Sequence, residues 1–151
     1  MAKNILLARP HPFIVSEMKP FLEQNGYAPK KLDTLGDIPT SVVGTSGAII
    51  SLAVLSSVGE SAETVFAELR KSARQLPVLF ASMINFATAK SALERLAKNL
   101  SVQASILDIS PANATHPGLG KPDTYLFLSK DDLVSPERRA LAASIIKRHF
   151  R

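Results

Sequence analysis

The chain has 151 residues, 46% of them hydrophobic and 21% charged, with a formal net charge of +5; that is a length for one domain with a proper core, and a composition that excludes intrinsic disorder. It contains no cysteine, which excludes disulfides, thiolate catalysis and cysteine-based zinc sites and fits a cytoplasmic compartment. No apolar run reaches the ~18 residues of a membrane span, and the first residues lack the small-residue cleavage site of a signal peptide.

Strand-like and helix-like segments alternate along the chain. Asn4–Ala8 is an apolar run suited to a buried parallel strand, and it stops at Arg9-Pro10-His11-Pro12. His11–Asn25 has helical spacing, with Phe13, Ile14, Met18, Phe21 and Leu22 on one stripe, Pro20 as an interruption and Gly26 as a C-cap. Tyr27–Leu32 reads as a short, polar edge strand, and Asp33–Thr45 as a loop or a single turn. Ala48–Leu55 is the strongest strand and is expected at the centre. Ser61–Gln75 predicts a helix with Val65, Phe66 and Leu69 inward and Glu63, Glu68, Arg70, Lys71 and Arg74 outward. Pro77–Ser82 follows as a buried strand, and Ala87–Asn99 as an amphipathic helix built on Leu93 and Leu96. Val102–Ile109 and Thr124–Leu128 read as strands on either side of the Pro/Gly-rich loop Ser110–Asp123. A Ser135 cap, Pro136 at the first helical position and Glu137 open a last helix that turns Leu141, Ile145 and Ile146 to one face.

This alternation predicts an α/β fold, a doubly wound and mostly parallel sheet of five or six strands in one domain over 1–151, with a loop insertion at 109–123. Function in such a sheet sits at the carboxyl ends of the strands. Those ends carry Arg9-Pro10-His11, Ala53 to Ser57, Ser82 to Asn85, and Ser129-Lys130.

At those ends the chain resembles the receiver domain of bacterial response regulators, a flavodoxin-like architecture. "ILLARPHPF…FLEQNGY" looks like that family's first strand, acidic turn and first helix. "IISLAVLSS" resembles its third strand, "LPVLFAS" its fourth, and "TYLFLSKDDL" its fifth with the lysine that ends it. The resemblance implies phosphoryl transfer from a partner kinase to an aspartate, with Mg²⁺ held by acidic residues after the first strand. Carried over position by position, the acidic pair falls on Arg9 and Pro10, and His11 stands where a third acid is frequent. The nucleophile falls on Ala53, or on Leu52 if the register slips by one. Ser82 keeps the hydroxyl. Lys130 keeps the amine if Thr124–Leu128 is the fifth strand; if Val102–Ile109 is, no lysine ends it. These six positions, Arg9, Pro10, His11, Ala53, Ser82 and Lys130, form a degenerate phosphorylation pocket with no catalytic residue, metal or cofactor expected.

The expected function is therefore a phosphorylation-independent, non-enzymatic receiver-like module acting through protein–protein contact in a signalling pathway. The alternative is a small Rossmann-like protein that binds an anionic metabolite or nucleotide through Arg9, Ser82 and Lys130. "HPGLGKP" lacks the glycine and Ser/Thr positions of a phosphate loop and reads as cover over the sheet. His11, His116 and His149 are too scattered for a metal site. The basic stretch Lys147-Arg148-His149-Phe150-Arg151 complements a helix dipole and reads as solvated surface rather than a nucleic-acid interface. Ala140, Ala142 and Ala143 form a small-residue flank on the last helix, which is either a homodimer face or part of the ordinary inward stripe.

Overall fold

The computed structural model describes residues 3–9, 14–52, 61–83, 86–99, 105–121 and 123–150. Among the described residues, six strands alternate with five α-helices: β1 (Lys3–Arg9), α1 (Lys19–Gln24), β2 (Tyr27–Lys31), α2 (Ile38–Ser41), β3 (Thr45–Ser51), α3 (Ala62–Ser72), β4 (Val78–Ser82), α4 (Phe86–Asn99), β5 (Ser105–Leu107), β6 (Thr124–Ser129) and α5 (Pro136–His149). The strands form one sheet in the order β2-β1-β3-β4-β6-β5, and every pairing is parallel.

Side-chain alternation sorts the strand residues onto two cores. Ile5, Leu7, Ile49, Leu79, Leu126 and Leu128 meet Phe21 and Leu22 of α1 and Ala142, Ile145 and Ile146 of α5. Leu6, Ala8, Ile50, Val78, Phe80 and Phe127 meet α2, α3 and α4 through Ile38, Val65, Phe66, Leu69 and Leu93. Strands buried on both faces are continuous apolar runs, which is why "ILLA", "AII" and "YLFL" read so plainly.

The fifth place, beside β4, goes to β6, and β5 lies outside it at the edge. Burial explains the choice. All six residues of β6 are buried, whereas β5 has only Leu107 buried and Ser105 exposed. At the other edge, β2 carries Pro29 and the exposed Lys30 and Lys31, which blunt pairing with another chain.

Several boundaries differ from the sequence expectation. The central strand starts at Thr45 and ends at Ser51, earlier at both ends than Ala48–Leu55; positions 53–60 lie outside the described residues. The first helix is in two parts, a π-helical turn over Ile14–Met18 and then α1, with Pro20 just after the change from one to the other. Positions 10–13 are outside the described residues. Among the described residues of Val102–Ile109, Ser105–Leu107 pair; 100–104 are likewise outside. Arg70, expected outward, is half-buried. It folds back over the Phe66 ring and donates to the Ala73 and Leu76 carbonyls, capping the end of α3.

The two tyrosines make a natural contrast. Tyr27 donates from its hydroxyl to the Phe150 carbonyl at 2.9 Å, tying β2 to the end of α5. Tyr125 packs among Phe66 and Phe80, and its buried hydroxyl finds no hydrogen-bond partner among the described residues. Burial pushes its pKa up to about 12, against the smaller opposing effect of the Arg70 charge. Tyr27→Phe is expected to cost about 1 kcal/mol, whereas Tyr125→Phe is neutral or stabilising. The raised pKa means the folded state holds the Tyr125 proton more tightly than the unfolded state. Its stabilising effect is thus present below about pH 10 and lost as pH rises toward 12, by roughly 2 kcal/mol. Urea unfolding of the wild type and Tyr125→Phe across that range checks this: the alkaline decline shrinks in the variant. Tyr27, whose pKa burial also raises, contributes to the part that remains.

Candidate functional site

Four neighbouring strands end in polar residues along the carboxyl edge of the sheet: Arg9 on β1, Ser51 on β3, Ser82 on β4 and Ser129 on β6. All four are buried. An apolar strand normally ends in solvated loop, so buried polar residues at four adjacent ends mark this crest as the place where the fold holds polar chemistry.

Arg9 has been turned into the crest by an irregularity in the pairing. The β1–β3 register shifts between Leu7 and Arg9, so Arg9 stands opposite Ile50. Such bulges re-aim the side chain that follows them. The Arg9 guanidinium donates from Nη1 to the Ser51 carbonyl at 2.9 Å, binding the end of β1 to the end of β3. Arg9 is only 5% exposed, and burial holds its pKa below the ordinary arginine value. A guanidinium keeps its charge even so, and the crest therefore contains a fixed cation. A divalent cation needs carboxylate oxygens, and beside Arg9 it would meet repulsion instead. Among the described residues, those at the crest offer Mg²⁺ no carboxylate.

Ser82 and Ser129 pair directly across β4 and β6. Ser129 also starts a tight turn over Lys130–Leu133, closed by a capping box. The Asp132 carboxylate accepts from the Ser129 backbone N–H at 2.9 Å and from the Ser129 hydroxyl at 3.3 Å. The same buried carboxylate forms a salt bridge with Arg138 in the first turn of α5, and Arg138 also donates to the Ile109 carbonyl at 3.0 Å. One network thus joins the end of β6, the start of α5 and the segment after β5.

Of the six sequence-predicted positions, the structure places Arg9 and Ser82 as buried crest residues and Lys130 as an exposed residue directly after β6. Arg9 is brought onto Ser51, and Ser82 onto Ser129. Arg9 and Lys130 stand three strand spacings apart, roughly 14 Å of backbone. Pro10, His11 and Ala53 lie outside the described residues. Sequence reading missed Ser51 and Asp132. The second had a signal, because Ser129-x-x-Asp132 is the spacing of a capping box.

Among the described residues, no group of three or more His, Cys, Asp or Glu side chains could hold a metal ion. None of the described helices is long and apolar enough to cross a membrane. In sequence the chain matches no family profile and no curated protein. In structure it is similar to a response regulator receiver protein from Sinorhizobium medicae WSM419, with a TM-score of 0.54 at 11% identity, covering 98% of this chain and 94% of that one. It is similar to the same degree to NtrX from Brucella abortus, with a TM-score of 0.54 at 19% identity over 98% of this chain. There it spans only 28% of the NtrX chain's length. The chain thus has the receiver fold, with β6 in the place of the fifth strand and β5 set beyond it at the edge.

Proposed function

We propose that the chain is a degenerate receiver, a signalling module of one domain with an insertion at 109–123 that works by protein–protein contact without phosphorylation. The observation that carries this reading is Arg9. Arg9 is a buried cation bonded to the third strand, and in the register the sequence resemblance implies it stands where the family's chemistry needs acidic residues to hold Mg²⁺. Pro10 and Ala53, by their side-chain chemistry, offer no carboxylate to the metal and no nucleophile to a phosphoryl group. Arg9 does internally what a bound cation would do, holding the ends of β1 and β3 together, so the crest stays in one state without an ionic trigger. The partner is a protein of a signalling pathway, in the cytoplasm, and the chain carries no enzymatic activity of its own.

The test is incubation with acetyl phosphate and Mg²⁺, followed by intact mass and a melting curve. The expected result is no phosphoryl adduct and no shift of Tm with Mg²⁺. A stable adduct, or a Mg²⁺-dependent rise in Tm, overturns the proposal. A rise in Tm with a nucleotide or another anionic metabolite, without Mg²⁺, would instead favour the ligand-binding reading of Arg9 with Ser82.

A further inference from the structure

The segment between β5 and β6 is held down by two imidazole rings used in the same way. His116 Nδ1 accepts the Gly118 N–H at 2.9 Å. His149 Nδ1, near the end of α5, accepts the Gly120 N–H at 3.1 Å. The His149 ring is fully buried, and its Nε2 lies 2.9 Å from the Val78 carbonyl. Since Nδ1 is an acceptor, the ring proton sits on Nε2 and is donated to Val78. His149 therefore bridges β4 to the inserted segment as a neutral ring in one tautomer. Between the two anchored amides lies Leu119, 2% exposed and packed into the core on the α1/α5 side. Gly120 is in the left-handed region at φ 91°, a conformation that favours glycine.

We propose that His116 and His149 form an acid-sensitive latch on residues 116–121: neutral rings hold the segment closed over Leu119, and protonation releases it. An imidazolium has N–H on both nitrogens and no acceptor, so protonation sets each ring against the amide it now binds. The closed segment takes only the neutral rings, whereas the open one takes either form. Closure is therefore favoured where the rings are neutral and weakens as falling pH protonates them. The charged groups nearest the rings in sequence are Lys121 of the segment, Asp123 just after it, and Lys147 and Arg148 of α5, all exposed, and Asp108, whose carboxylate accepts from the Asn113 side chain; Glu137, Arg138 and Arg139 stand at the far end of α5, β6 carries the titratable Tyr125, and β4 carries no charged group. Release would uncover Leu119 beside α5 and so present a new apolar contact to a protein partner.

Amide hydrogen exchange of the full chain, compared at about pH 7.5 and about pH 5.5, tests the latch. Protection factors of Gly118 and Gly120 are expected to fall about tenfold or more at the lower pH, while Ile49 in β3 and Phe80 in β4 keep theirs. His116→Gln and His149→Gln each supply an acceptor that does not titrate, so each should remove the pH dependence at its own glycine. His116 is only half-buried, so His116→Gln keeps the test available if His149→Gln does not fold. Unchanged protection of both glycines, or an equal loss in β3 and β4, overturns the proposal.

Discussion

Phe150→Ala is expected to lower the stability by about 3–5 kcal/mol. The ring is fully buried against β3, where Gly47 leaves room for it. A Cβ on Gly47 would stand 2.2 Å from Cδ1 of the ring, far inside contact distance. The ring also meets Tyr27 edge-on at 6.4 Å, and the Phe150 carbonyl is the acceptor of the Tyr27 hydroxyl. Truncation therefore leaves a cavity with no methyl beneath it to shrink the void. Gly47→Ala alone should cost about 1–3 kcal/mol by overpacking, since the ring is enclosed and its backbone is tied to Ile146 and Tyr27. The two effects are not additive. In the Phe150→Ala background, Gly47→Ala should cost almost nothing or recover some stability, because its methyl enters the vacated space. Urea denaturation of the two single variants and the double variant measures the coupling; additive losses would disprove the contact.

Asp132→Ala should cost about 2–3 kcal/mol. The carboxylate is buried and serves the Ser129 N–H, the Ser129 hydroxyl and the Arg138 guanidinium at once. Its removal strands a buried backbone donor and breaks an ion pair, each a recognised source of large losses. The figure is below that for a fully buried pair because the Arg138 side chain is 44% exposed, and water can take up part of its charge. Asp132→Asn keeps one acceptor for the Ser129 N–H and should cost less than alanine. Thermal melts rank the three proteins; an unchanged Tm for Asp132→Ala would mean the network contributes nothing.

The parallel sheet was legible because its strands are buried on both faces and so appear as uninterrupted apolar runs. The cap at Ser135 was equally plain, and its hydroxyl accepts the Arg138 N–H; the matching cap at Ser61, which accepts the Thr64 N–H, went unread. The order of the last two strands was less plain. Val102–Ile109 and Thr124–Leu128 both read as strands, and the signal that ranks them, a continuous apolar run in Tyr125–Leu128 against Gln103, Ser105 and Asp108 breaking up the other, was not used. The basic ending also misled. Lys147 and Arg148 are exposed as read, but His149, the last residue of α5, and Phe150, which follows it, are buried; at 3.6 residues per turn two successive residues can face solvent and the next the core. At the crest, Arg9 was legible as an oddity of composition. Its bond to the Ser51 carbonyl depends on a bulge that no residue pattern announces.

Because β6 slots between β4 and β5, a ribosome delivers β5 before the strand it leans on. At ~5–20 residues per second, the nascent chain spends a few seconds with β4 already placed and its outer flank bare. That flank belongs to an apolar strand, "VLFAS", with neither proline nor charge to discourage a visitor. Until Thr124–Ser129 arrives, the half-made sheet can recruit a matching strand from a neighbouring chain. Any substitution that slows the docking of β6 should thus show itself first as poor yield and exchanged dimers, before it shows as a lower melting point.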